Sequence, residues 1–444
     1  MGISIRLNQD IFYRKYDNSC YVWSTYNQSV QTVNEMAFDI ISNLTKSYMQ
    51  DDELIDKLAS IYDLTTENIQ CILDFLYELE RMNIVTIKEN NIGQSSPVDL
   101  SNEIVRLTAE NHLLYQVMIE LTYDCNERCK HCYVETSDKR QKLTTPEIFN
   151  IIDQLNEMNV ADVAFSGGDV FTRPDTLDIL QYAVDSNLMV TVFTNGIALT
   201  DDMVERMSKM GLKCVHFSIY GSNAETHDGI TGVRGSFQKT MHSLKRFKSL
   251  GTPVNMKVVL MKDNIQEYDD IMNMAQSLGI TTQVSTSIRP TMMGDKRPTF
   301  LRADLEAIKY VMQQEEIKHP EDKNVSINLK PQTICNAGFN SLTINPYGEV
   351  FLCVSFGKSL GDLRKEKLEN IWHHSPILKK WRQYRFKDIE KCSTCDLLQY
   401  CNFCPSQAYL ENGGNWHKAY DEACKLAALQ KTIWSYVKFE YKLN

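Results

Sequence analysis

Three cysteines fall within eight residues in the stretch TYDCNERCKHCYVE, at Cys125, Cys129 and Cys132. The chain holds thirteen cysteines, and its first residues, MGISIRLNQDIFYRK, lack the apolar core of a secretory signal. A reducing, cytoplasmic setting is therefore expected, in which clustered thiols serve as metal ligands or catalytic groups rather than disulfides. A structural zinc ion takes four protein ligands, and a cubane [4Fe-4S] cluster takes four thiolates. Three thiolates leave one metal corner open, where a small molecule can bind directly. A zinc site completed by His131 is the competing chemistry. A second group holds Cys335, Cys353, then CSTCDLLQYCNFC with Cys392, Cys395, Cys401 and Cys404, and finally Cys424. Two closed clusters need eight thiolates, and this group supplies seven. Cys20, Cys71 and Cys214 stand apart and are expected as small buried hydrophobes.

These groups need elements to hold them. From Tyr115 to about Ile288, short apolar runs (YQVMIELTY, ADVAFSGG, MVTVFTNG, KCVHFSIYG, VNMKVVLM, TTQVSTSI) alternate with amphipathic stretches such as TPEIFNIIDQLNEMN. Six β/α units predict a parallel sheet with its chemistry at the C-terminal ends of the strands, where both TYDC and SGGD fall. Ahead of it, VNEMAFDIISNL puts Val33, Met36, Ala37, Ile40, Ile41 and Leu44 on one helical face. DDELIDKLASIY and TTENIQCILDFLYELERMN predict two further helices. Extended segments flank the three, as in a winged helix-turn-helix. ENNIGQSSPVDLSNE loses apolar periodicity and predicts a linker.

The C-x-x-x-C-x-x-C spacing after the first strand resembles the signature of the radical S-adenosylmethionine superfamily. The resemblance implies a partial (β/α)6 barrel, over 113–320, whose open iron chelates S-adenosylmethionine. It also implies one-electron cleavage of that cosubstrate to methionine and a 5′-deoxyadenosyl radical. SGGD stands where the family has Gly-Gly-Glu, so Gly167, Gly168 and the one-methylene-shorter Asp169 become cosubstrate contacts, with His131, Asn195 of FTNG and Ser218 beside them. The second cysteine group, within 321–444, resembles the SPASM extension. It implies two auxiliary [4Fe-4S] clusters, three clusters in all. By that resemblance Cys392, Cys395, Cys401 and Cys424 close the distal one. Cys335, Cys353 and Cys404 are left for the nearer one, with an open iron or a noncysteine fourth ligand.

Residues 1–92 resemble the RiPP recognition element, which binds the leader of a ribosomally made precursor peptide as an added strand; 93–112 would link it to the barrel. DNA binding is disfavoured, since residues 1–92 hold seven Lys and Arg against fourteen Asp and Glu. The net charge of −10 argues against nucleic acid and anionic membrane as partners. The whole resembles peptide maturases that form cysteine sulfur-to-carbon thioethers, reduced by a low-potential donor such as flavodoxin or ferredoxin. Carbon–carbon crosslinking, epimerisation and formylglycine formation are alternatives within the resemblance. An iron-sulfur redox regulator or electron carrier is the alternative outside catalysis.

Overall fold

The computed structural model describes residues 3–16, 19–25, 29–88, 101–134, 140–318 and 334–440. The chain opens with β1 (Ser4–Leu7), β2 (Ile11–Tyr16), β3 (Ser19–Ser24) and β4 (Ser29–Val33). It continues through α1 (Glu35–Asn43), β5 (Met49–Gln50), α2 (Asp51–Ala59), α3 (Thr66–Arg81) and β6 (Val85–Ile87). Two of the three helices begin with side-chain caps: Asn34 accepts from the Ala37 amide at 2.8 Å, and Thr65 forms a capping box with Asn68. With the small antiparallel sheet β5-β1-β6 the helices enclose a core of Ile5, Leu7, Ile40, Ile41, Leu54, Leu58, Ile72, Leu76 and Leu79. Met36, expected on the apolar face of α1, is 46% exposed, and Val33 ends β4 instead of starting the helix.

The strands β2, β3 and β4 form a separate antiparallel meander, in the order β2-β3-β4. Its Phe12, Tyr16, Tyr21, Trp23 and Val30 pack on Ile104, Ala161 and Met189. Arg14 is 5% exposed. Its Nε donates to the Val160 carbonyl at 2.9 Å and its Nη2 to Asn156 Oδ1 at 3.2 Å. These partners precede the second barrel strand, so the meander covers the N-terminal end of the barrel.

Of the expected linker, residues 93–100 lie outside the described residues, and Ser101–Glu110 is a helix, α4. Ile104 is buried, and Asn340 Nδ2 donates to the Val105 carbonyl at 3.1 Å. Ile104 and Leu107 pack against the meander, so this amphipathic segment is helical with its apolar face buried.

The barrel alternates β7 (Gln116–Thr122), α5 (Thr145–Glu157), β8 (Asp162–Gly167), α6 (Thr176–Asp185), β9 (Met189–Thr194), α7 (Asp201–Ser208) and β10 (Cys214–Ile219). Then come α8 (Ala224–Thr231), α9 (Ser236–Ser249), β11 (Val254–Val259), α10 (Tyr268–Leu278), β12 (Thr281–Ser285) and α11 (Leu305–Lys318). All six strands are parallel, in the order β12-β11-β10-β9-β8-β7. Side chains alternate across β10: Val215, Phe217 and Ile219 face the helices, while Cys214, His216 and Ser218 face the lumen.

The sheet does not stop at the expected boundary near residue 320. β13 (Ser341–Ile344) pairs in parallel with β7, and β14 (Glu349–Phe351) and β15 (Gly361–Asp362) follow antiparallel, giving nine strands. β13 occupies the edge of β7 that would otherwise leave backbone groups unpaired. α12 (Leu368–His374), α13 (Pro376–Arg382), α14 (Pro405–Glu411) and α15 (Asp421–Glu440) complete the chain. Among the described residues no helix is long and apolar enough to cross a membrane.

Candidate active site

The loop leaving β7 carries Cys125, Cys129 and Cys132, and glycine explains how it is held. A Cβ built on Gly167 would lie 2.1 Å from the Thr122 carbonyl oxygen, and one on Gly168 would lie 2.2 Å from that of Asp124. Only glycine lets the end of β8 lie this close to the loop. The contact is sealed by Gly168 N–H donating to Thr122 O at 2.7 Å and Asp169 N–H to Asp124 O at 2.9 Å. The glycine pair thus holds the cysteine loop against the sheet. At the far side, the Arg128 and Lys130 amides donate to Thr231 O and Ile230 O at 2.8 and 3.0 Å.

Asp169, expected as a cosubstrate contact, is turned into the protein. Its side chain is 1% exposed. Oδ1 accepts from the Phe171 amide at 3.0 Å, while Oδ2 accepts from Thr194 Oγ1 and the Asn195 amide, each at 2.7 Å. One methylene shorter than glutamate, this carboxylate is captured by the ends of β8 and β9. It positions Asn195, whose Nδ2 reaches Asn126 Oδ1 at 2.6 Å and Cys125 Sγ at 3.8 Å. Asn195 therefore sits against the cysteine loop. Ser218 faces the lumen. The His131 ring meets Tyr220 edge-on at 4.7 Å, and burial lowers its pKa to about 4, leaving it neutral. Its Nδ1 is buried with no partner among the described residues.

The ten clustered thiols come together in three sets. Burial first, then the negative charges of Asp169, Glu127 and Cys132, raise the Cys125 pKa to about 11; Cys129 moves the same way, with Cys132 and Cys125 among its causes. Cys335 is pushed up to about 11 by burial and then by Cys353 and Cys404. Cys392 and Cys401 reach about 11, burial first, with Cys395 and Cys424 adding to both. No thiol is in a disulfide. Desolvated thiols beside acidic neighbours ionise only when a cation arrives, which is the chemistry of a thiolate-ligated cluster. Among the described residues no three Cys, His, Asp or Glu side chains converge closely enough for a single ion. A cubane, with one thiolate on each iron, spreads its ligands more widely than one ion does. Of the isolated cysteines, Cys20 is buried as expected, Cys71 is exposed, and Cys214 lines the lumen.

Two cavities reach Cys353 of the nearer C-terminal set. One, about 670 Å³, runs up the lumen from Trp23 past His216 and Lys257 to Cys353. The other, about 530 Å³, lies between the end of β7, β13–β14 and Met292–Met293, and Cys353 lines it too. Tyr133 is raised by burial first, and then by Glu120, Cys132 and Cys353, so it lies between the barrel set and the nearer C-terminal set. Glu120 is a site residue that motif spacing does not find, although a lone carboxylate in the apolar run VMIELT is a visible signal.

Residues 119–275 match the radical SAM superfamily model, and 335–396 match the SPASM iron-sulfur cluster-binding domain. The chain carries a radical SAM domain and a SPASM domain. The radical SAM domain binds S-adenosylmethionine and a [4Fe-4S] cluster, and the SPASM domain binds auxiliary iron-sulfur clusters. The chain is 28% identical over 322 residues to an AdoMet-dependent heme synthase of Methanosarcina barkeri, covering 66% of this chain and 92% of the relative. It is 26% identical over 402 residues to the subtilosin biosynthesis protein AlbA of Bacillus subtilis, covering 87% and 86%. Streptococcus suis SuiB, solved with its precursor peptide SuiA, shares the fold at a TM-score of 0.59 and 16% identity, covering 95% of this chain and 99% of that one.

Proposed function

We propose that this radical SAM/SPASM enzyme is a peptide maturase joining a precursor cysteine sulfur to a carbon of another residue. The observation that carries the reading is the set Cys335, Cys353 and Cys404: three thiols where a closed cluster needs four, with Cys353 at the junction of both cavities. A precursor thiolate entering that junction would complete the ligand set. The relatives favour a peptide over a porphyrin substrate, because the alignment with AlbA extends over 87% of the chain and that with the heme synthase over 66%.

Cys125, Cys129 and Cys132 would hold the barrel cluster, and Cys392, Cys395, Cys401 and Cys424 the distal one. Bound and reduced by one electron, S-adenosylmethionine supplies a 5′-deoxyadenosyl radical that takes a hydrogen atom from the peptide. Asn195 and Asn126 brace the first thiol beside that chemistry. The nine-stranded sheet supplies wall residues to both cavities. Residues 1–92 act as a winged-helix leader-binding unit. The free edge of β4, outermost in β2-β3-β4, suits strand addition. A low-potential flavodoxin or ferredoxin serves as reductant.

The test is anaerobic turnover of the reconstituted enzyme with its precursor peptide and with a cysteine-to-serine precursor. A product lighter by two hydrogens per link, fragmenting at a sulfur–carbon bond and absent from the serine peptide, is expected. A link without sulfur would sink the thioether reading. Failure to form 5′-deoxyadenosine at all would favour a redox carrier.

A further inference from the structure

We propose that Glu120 is a catalytic residue of this enzyme, its Oε1 receiving the proton that leaves the peptide as the crosslink closes. The proposal rests on the maturase reading and adds the proton acceptor that reading lacks. Glu120 stands on β7, is 1% exposed and lines the 530 Å³ cavity together with Tyr123, Asn345, Glu349 and Cys353. Oε2 accepts from the Tyr123 hydroxyl at 2.9 Å, while Oε1 is buried with no partner among the described residues. An unpaired carboxylate oxygen inside a parallel sheet is costly, and the fold has no use for it that glutamine would not serve. The nearby cations are engaged elsewhere: Arg140 with Glu349 at 2.9 Å and over the Tyr347 ring, and Arg289 with Ser355 at 2.6 Å.

The position fits the chemistry. Glu120 and Cys353 line the same cavity, so the carboxylate shares that space with the nearer cysteine set. Crosslinking removes two hydrogens from the peptide. One leaves as an atom, carried off by 5′-deoxyadenosine. The thiol S–H bond breaks as that sulfur enters the nearer ligand set as a thiolate, its proton passing to Glu120 Oε1. The remaining carbon radical then forms the S–C bond with it, releasing one electron to an oxidised auxiliary iron-sulfur cluster of the SPASM domain. If a second C–H bond breaks in place of S–H, the same proton and electron are released. Burial raises the Glu120 carboxyl to about 8, opposed by the Tyr123 hydrogen bond, which brings it near a thiol's own range. Tyr123, Tyr133, Tyr347, Arg140, Arg289, Glu349 and Cys353 are the titratable and charged groups around it.

The test compares the parental full chain, cluster-loaded and given precursor peptide, with its Glu120→Gln and Glu120→Asp variants. Glutamine preserves an acceptor for Tyr123 but cannot take a proton. Crosslink formation by E120Q should fall by about 10²-fold or more, as for a lost general base. The ratio of 5′-deoxyadenosine to crosslinked peptide should rise, and the ascending limb of the parental pH–rate profile should disappear. E120D should recover part of the rate with a shifted limb. A parental rate and pH profile in E120Q would overturn the proposal. So would a loss of peptide affinity in proportion to the loss of turnover, which would make Glu120 a binding residue. Should E120Q fail to load iron, the E120D limb decides, and an unshifted limb refutes. The bond found in the parental product tests the thioether reading separately, because the ratio in E120Q tests the proton step whichever bond forms.

Discussion

Gly168→Ala is the sharpest probe of how the cysteine loop is held. The new Cβ would meet Asp124 O at 2.2 Å, Asp124 C at 2.6 Å and Tyr123 O at 2.8 Å. All three atoms are backbone, so no rotamer change relieves the clash, and the loop must retreat by about 1 Å to reach ordinary contact. Retreat breaks the Gly168–Thr122 and Asp169–Asp124 hydrogen bonds. Those two bonds at about 1 kcal/mol each, with about 1–3 kcal/mol of overpacking, amount to about 3–5 kcal/mol of local destabilisation. Cys125 follows Asp124 directly, so the shift falls on the first thiol of the barrel set. A displacement of that size at a reacting centre costs about 10²-fold in rate. G168A should therefore lose one cluster's worth of iron, retain the auxiliary clusters and cleave S-adenosylmethionine about 10²-fold more slowly. Iron and sulfide per chain, the spectrum of the reduced barrel cluster, and 5′-deoxyadenosine formation measure this. Gly229→Ala, in α8 with nothing within 4 Å of its Cβ, is the matched control and should behave as the parent. Full iron loading and parental cleavage in G168A would refute the packing argument.

Two further outcomes test how the parts are joined. Arg364 beside Glu147 lowers that carboxyl to about 2; this stabilises the fold above the unfolded carboxyl pKa and is lost as pH falls from about 4.5 towards 2. Because both side chains are about one-third exposed, Glu147→Gln should cost no more than about 1 kcal/mol at neutral pH. It should also flatten the pH dependence of the urea midpoint in that window; curves that stay parallel there would exclude the bridge. Arg14→Ala removes the side chain that ties the meander to the Val160 carbonyl and Asn156, a local loss of about 2–4 kcal/mol. Hydrogen exchange should accelerate across residues 11–33, and unchanged protection would place the docking energy in Trp23 and its aromatic neighbours instead.

What can be read from the sequence divides along a physical line. Thiol spacing is local and chemically narrow, so Cys125, Cys129 and Cys132 are legible together. The apolar runs of buried parallel strands mark the six β/α units for the same reason. Asp169 is legible as a residue in the right place but not as one facing inward, because its partners Thr194 and Asn195 come from the next strand. The helix Ser101–Glu110 is hidden in a polar segment whose order depends on Asn340, more than two hundred residues away. Cys71 carries no sign of its exposure.

The join of β13 to β7 is the least legible element and has the largest consequence. Ser341–Ile344 is four residues long, too short for periodicity to mark, and its partner is far off in the chain. Yet the register pairs Thr343 with Met118 on one side and with Phe351 on the other. A continuous hydrogen-bonded sheet therefore runs from β7, which ends at Thr122 three residues before Cys125, to β14, which ends at Phe351 two residues before Cys353. The separation between the barrel cysteines and Cys353 is thus set by strand pairing, which tolerates little change. Thr343→Pro takes an N–H from a strand paired on both edges, where proline is not accommodated. It should shift or broaden the distance between the barrel cluster and the nearer auxiliary cluster, read by dipolar spectroscopy of the reduced, cluster-loaded enzyme. A change of register at β13 moves Cys353 relative to Glu120. A distance unchanged in T343P would show that this strand pairing does not space the two sets.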